Sequence, residues 1–148
     1  MGYVFAGFFA RADTPILQAA LRRWPGCRGR LITTPFPGIG VAVNDHILTY
    51  GGSTEEEYEQ AEELAWAIEQ ELVEWSRQYP TICFVFLHAE CFGGTCLCEG
   101  YVCQDGVIHA RAQDTDEDNA EALPLLVRAL GVELGTLPHF EPFTRGFF

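Results

Sequence analysis

The stretch from Thr81 to Ala110, TICFVFLHAECFGGTCLCEGYVCQDGVIHA, constrains the fold more than any other part of the chain. Two dipeptides, Gly93-Gly94 and Asp105-Gly106, interrupt runs of β-prone residues. A two-residue hairpin loop needs positive φ at its centre, which glycine accepts freely and aspartate tolerates. The spacing therefore predicts three consecutive antiparallel strands, the third around Val107–Arg111. With Gly93-Gly94 as the turn, Phe92 opposes Thr95, Cys91 opposes Cys96, Glu90 opposes Leu97, Ala89 opposes Cys98 and His88 opposes Glu99. Side chains alternate along a strand. Cys83, Cys91, Cys96 and Cys98 then share one face, and His88, Glu90, Glu99, Tyr101 and Cys103 share the other.

Three readings of these thiols compete. Gly93, Gly94, Cys83, Cys91, Cys96 and Cys98 can be structural, since a thiol behaves as a small buried hydrophobe and a helix-covered sheet face needs small residues. Cys91, Cys96 and Cys98 can be metal ligands, although the C-x4-C-x-C-x4-C spacing lacks the paired C-x2-C knuckles of zinc ribbons and Cys103 points away. Cys91 and Cys96 can also form a disulfide, because directly opposed residues lie within bonding range. The packing argument favours the structural reading, and no metal or cofactor is expected. On the opposite face, His88, Glu90, Glu99 and Tyr101 gather polar groups at the end of an apolar strand pair. A His88–Glu99 pair could act as acid or base. An ordinary cross-strand charge pair explains it more simply.

The remaining elements follow from periodicity. Residues 3–10, YVFAGFFA, are apolar on both alternating faces and read as a buried strand rather than a signal peptide. Thr14 is placed to cap a helix opening on Pro15 and closing at Pro25-Gly26. Residues 28–34 form a strand broken by Pro35-Phe36-Pro37-Gly38. Runs 39–43 and 46–50 flank a turn at Asn44-Asp45. Ser53 and Glu56 make a capping box for a helix ending at about Tyr79. Its inward stripe is Tyr58, Ala61, Leu64, Ala65, Ile68, Leu72 and Trp75. A last helix starts near Glu121, because Pro124 is tolerated only in a first turn, and stops at Gly131. The aromatic tail PHFEPFTRGFF is expected to dock on the body. The expected fold is a single α+β domain spanning residues 1–148. Its antiparallel or mixed sheet would have about five to six strands, with three helices packed mainly on one face in two layers.

Charge is distributed unevenly over this frame. Net charge is −12 over 148 residues. Residues 54–80 carry nine glutamates against Arg77, whereas residues 1–53 carry five arginines against Asp13 and Asp45. Such a surface repels nucleic acid and anionic membrane and attracts basic proteins. Trp66 lies off the inward stripe, near Glu62, Glu69 and Val73. An aromatic ringed by carboxylates is a candidate anchor for a basic partner. Glu59, Glu62, Trp66 and Glu69 on the helix, with Asp114, Asp116 and Asp118 in the acidic loop, are the expected partner-binding residues. The aspartates with Asn119 resemble a calcium loop only loosely, because the turn glycine and the twelfth-position glutamate are missing. The chain has no lysine, and all nine basic residues are arginine, as a GC-rich bacterial genome would produce. Six cysteines without a secretion signal point to reduced thiols in a cytoplasm. No phosphate loop, G-x-S-x-G or H-E-x-x-H is present.

A small acidic helix-on-sheet domain of this kind is similar in type, though not in motif, to many bacterial immunity and antitoxin proteins. The leading expectation is a non-enzymatic protein that binds a basic protein. A small enzyme or metal-dependent protein using His88, Glu90 and Glu99, and a homodimer pairing sheet edges, are the alternatives.

Overall fold

A computed structural model of the chain describes residues 3–43, 55–92, 95–116, 121–134, 140–143 and 147–148. Its strands are β1 (Tyr3–Ala10), β2 (Arg28–Ile32), β3 (Gly38–Ala42), β4 (Phe84–Phe92), β5 (Thr95–Gln104) and β6 (Val107–Gln113). Its helices are α1 (Thr14–Arg23), α2 (Glu55–Gln78) and α3 (Ala122–Val127). The expected turn at Asn44-Asp45, the run 46–50, Gly51-Gly52 and the Ser53 cap lie outside the described residues. So do Gly93, Gly94 and Asp118, and the side chains of Tyr58 and Ala61.

The strands form one antiparallel sheet in the order β2-β3-β1-β4-β5-β6, giving an α+β fold. β1 and β4 occupy the centre, as sequences apolar on both alternating faces should. The β4–β5 register matches the expectation at all five pairs, from Phe92↔Thr95 to His88↔Glu99. Asp105 and Gly106 both have positive φ, 51° and 77°, and turn β5 into β6. Ser76 of α2 ties that turn down. Its hydroxyl accepts from the Gly106 N–H at 2.8 Å and donates to the Val73 carbonyl at 2.6 Å.

The sheet is covered on both faces. Phe8, Val41, Phe84, Phe86 and Cys103 pack beneath α1 and α2, which contribute Leu17, Ala20, Trp24, Ile68 and Leu72. Phe5, Phe9, Val85, Leu87 and Cys98 pack beneath α3 and the C-terminal segment, which contribute Leu126, Leu130 and Phe140. Two of the three α-helices among the described residues therefore share a face, as expected, but the third and the tail build a further layer that the two-layer expectation lacked. The physical reason is already in β1, where Phe8 and Phe9 point to opposite faces and are both 0% exposed. A strand apolar on both faces needs cover on both.

Two local expectations shift. Asp13, not Thr14, holds the N-cap position of α1; its carbonyl accepts from the Leu17 N–H and its side chain makes no capping hydrogen bond. Leu64 of the expected inward stripe is 39% exposed, while Ile68 and Leu72 are buried. Among the described residues α2 packs on the core only from Ala65 onward, so Leu64 lies at the edge of that contact. α3 begins and ends where expected, with Glu121 at its N-cap and a 3-10 turn through Arg128–Leu130 to Gly131, whose φ of 79° ends it.

The tail docks as expected. Phe143 and Phe148 lie 5.3 and 5.5 Å from the Phe5 ring. Arg30 caps Phe147 twice, through its carbonyl at 2.8 Å and over its ring at 4.2 Å. Gly40 makes room for this, since a Cβ there would meet the Phe148 ring at 2.8 Å. No helix among the described residues is long and apolar enough to cross a membrane.

Candidate functional site

Two groups of residues that sequence reasoning kept apart converge on one groove. α2 runs beside β5 and β6, and between them lies a groove of about 590 Å³ lined by Trp66, Glu69, Phe86, Glu99, Tyr101 and Arg111. Trp66 and Glu69 come from the expected partner-binding set. Glu99 and Tyr101 come from the polar end of the cysteine hairpin. The helix supplies its share by periodicity, because Glu59, Glu62, Glu63, Trp66 and Glu69 recur at three- and four-residue steps along one flank.

Tyr101 forms the floor. It is 5% exposed and stacks on Phe86 with ring centroids 5.1 Å apart and planes 11° apart. Its buried hydroxyl has no hydrogen-bond partner among the described residues. Burial first, and the Glu69 charge second, push its ionisation upward, so it stays a neutral phenol. Arg111 closes one side. It donates to the Glu69 carboxylate at 2.6 Å and lies over the Tyr101 ring at 5.5 Å.

Arg111 was not anticipated, and the reason is a β-bulge. Counting back from the Asp105-Gly106 turn, an unbroken ladder would set Ala110 opposite Tyr101 and send Arg111 to the other face. The register shifts between Val102 and Cys103, so Tyr101 pairs with Arg111 and Val102 with Ala110. One extra residue in β6 turns the guanidinium onto the α2 face. No signal in the local sequence marks that position.

At the groove rim His88 Nδ1 donates to Glu99 Oε1 at 3.1 Å. This hydrogen bond holds the Glu99 carboxyl below the ordinary carboxylate range, against the upward push of partial burial. A depressed carboxylate stabilises the fold above its unfolded pKa of about 4.3 and loses that contribution as pH falls through the lower folded value. His88→Ala removes the downward pull and leaves the burial. The Glu99 carboxyl titration followed by NMR is therefore expected to move upward in that variant, and an unmoved midpoint would show that the pairing has no energetic content. Glu90 is exposed one step further along β4.

The acidic candidates separate. Glu59, Glu62 and Glu63 are exposed and make no ion pair among the described residues, whereas Glu69, Glu71 and Glu74 pair with Arg111, Arg23 and Arg77. The unneutralised charge of α2 is thus in its N-terminal half, next to Trp66, which is 64% exposed. Asp114 turns inward. Its two carboxylate oxygens accept from the Cys98 and Ala122 N–H groups, each at 2.9 Å. Asp116 is exposed in the loop.

The cysteines sort as the face argument requires, with one correction. Cys83, Cys91, Cys96 and Cys98 belong to the α3 face and Cys103 to the α2 face. Cys91 and Cys96, favoured above as separate packed thiols and expected to be reduced with the other four, are joined in a disulfide with Cα atoms 4.0 Å apart. Their opposition in the ladder brings the sulfurs together, and as a disulfide neither offers a thiolate to a metal. Cys27, Cys83, Cys98 and Cys103 are thiols. Burial, with the Asp114 charge behind it, pushes Cys98 up to about 12. Burial pushes Cys103 up to about 12 as well. Both stay protonated and unreactive near neutral pH. Titration of unfolded, unreduced protein is expected to find four thiols, and six after reduction; six before reduction would exclude the bond.

Comparison with protein-family models, with curated proteins and with solved structures finds no match for this chain.

Proposed function

We propose that the protein is a non-enzymatic acidic binding protein that engages a basic protein partner through the flank of α2 that runs into the groove, in the manner of a bacterial immunity or antitoxin protein. The observation that carries this reading is Trp66, 64% exposed at the mouth of an aromatic-floored groove and flanked by the unneutralised Glu59, Glu62 and Glu63. Exposing an indole costs solvation that burial against a partner would recover, and Trp is among the residues that most often dominate interfaces. The carboxylates around it raise the encounter rate with a basic surface and make binding salt-dependent.

The test is co-expression with the basic proteins encoded beside its gene, followed by affinity measurements at low and high salt. Trp66→Ala combined with Glu62→Gln is expected to weaken a complex tenfold or more, with a shallower salt dependence. An unchanged affinity would reject this surface as the interface.

A second reading draws on the His88–Glu99 pair at the groove rim, which has the geometry of an oriented acid–base couple. It requires a substrate that enters the groove, and turnover lost in His88→Ala with the fold retained would support it.

A further inference from the structure

The groove already holds a guanidinium. Arg111 sets its guanidinium over the Tyr101 ring and against the Glu69 carboxylate, and its own side chain is 57% exposed while that of Glu69 is 16% exposed. The carboxylate and the ring are therefore the embedded half of this contact, and the cation is the exposed half. Tyr101 is built in more firmly still, stacked on Phe86 and buried, with a hydroxyl that lacks any partner among the described residues.

We propose that the groove is a receptor for one arginine side chain of the basic partner, and that Arg111 is an intramolecular stand-in which the partner's arginine displaces. This rests on the reading of the α2 flank as a partner surface and deepens it by naming the side chain that the partner inserts.

The lining of the groove selects arginine. A planar guanidinium can stack on an aromatic face while its N–H fork meets a carboxylate, which a lysine ammonium cannot do in the same geometry. Trp66 supplies a second aromatic wall on the open side of the groove, and Glu99 a second carboxylate.

Displacement is also inexpensive. Arg111 sits on the edge strand β6, and its exposed guanidinium can swing into water. A partly exposed ion pair of this kind biases an equilibrium by roughly fivefold at most. The incoming arginine restores the pairing of Glu69, and it also gains the attraction of Glu59, Glu62 and Glu63, which lie along its approach. Self-occupancy would then lower affinity for isolated cations while leaving a strongly basic partner able to bind.

The experiment uses the intact chain and a neutral-flanked pentapeptide with one central arginine, alongside its lysine and citrulline counterparts. Binding is followed through the Trp66 indole N–H signal in NMR titrations. Arg111→Ala is expected to bind the arginine peptide roughly two- to fivefold more tightly than the unmodified chain. The lysine peptide should bind more weakly and the citrulline peptide not at all. Adding Glu69→Gln to Arg111→Ala should abolish the gain. Arg128→Gln removes the same charge elsewhere and should leave affinity unchanged. No gain in Arg111→Ala, an equal gain in Arg128→Gln, or equal binding of citrulline would overturn the proposal. If that happens while Trp66→Ala with Glu62→Gln still weakens the partner complex, the arginine slot fails and the partner surface stands. If instead the arginine peptide behaves as expected while the partner complex ignores Trp66 and Glu62, the slot stands and the partner surface fails.

Discussion

Replacing Phe9 with alanine is expected to lower the unfolding free energy by about 3–5 kcal/mol. Phe9 is 0% exposed in the central strand β1, and its ring meets four others: Phe5 and Phe140 at 5.4 Å, Phe36 and Phe148 at 6.2 Å. These rings come from the sheet, the β2–β3 connection and the C-terminal segment. The cavity left by truncation would be walled by a tail held largely through its own aromatic contacts, so collapse around it would detach the tail rather than heal the core. Domains of this size are stable by about 5–15 kcal/mol, so one such loss is a large share of the total. Urea unfolding should show a lower midpoint. A loss under about 1 kcal/mol would mean that the tail rings do not seal this face.

Asp114→Ala is expected to cost about 2–4 kcal/mol, far more than a surface aspartate should. Asp114 extends the β5–β6 ladder by donating its own N–H to the Cys98 carbonyl, and its carboxylate then returns to the Cys98 N–H. The other carboxylate oxygen takes the Ala122 N–H in the first turn of α3. Removing it leaves one donor stranded at the buried Cys98 and one at the helix start, and unpaired buried donors are the costly case. Asp114→Asn keeps a single acceptor and should lose about half as much. Denaturant unfolding of the three proteins side by side separates the roles. A change below about 0.5 kcal/mol in Asp114→Ala would return this residue to the acidic surface where its sequence context first put it.

Asp114 also illustrates what local sequence can hide. In DTDED it is one acid among four, and charge patterning treats the run as solvated. Only the end of β6 lying beside the start of α3 distinguishes the first aspartate from its neighbours. The stripe of α2 shows the same boundary. Ile68 and Leu72 are buried and Leu64 is not, although all three fit one helical period. Periodicity sets which flank of a helix can face a core, and where the core ends depends on the sheet beneath it.

For the groove, half the walls were legible. Trp66 stood off the apolar stripe, and the alternation of β4 and β5 assigned His88, Glu99 and Tyr101 to one face. Their meeting was not legible, because α2 and β5 are separated along the chain by β4, and helix-on-sheet packing is set by the whole core rather than by either element.

The hairpin from Thr81 onward determined the register of its first two strands. Counting outward from Gly93-Gly94 as a two-residue turn gives the observed β4–β5 pairs, and the opposition of Cys91 to Cys96 follows from them. The both-sided apolarity of β1 and β4 likewise determined that the sheet would be covered on two faces. Which segment provides the second cover, and the turning of Arg111 toward Tyr101 and Glu69, were decided only in three dimensions. The first depends on the tail finding Phe5 and Phe9, a contact between the two ends of the chain. The second depends on a single-residue bulge, which shifts the pairing beyond Cys103 by one residue and so sends Arg111 to the α2 face.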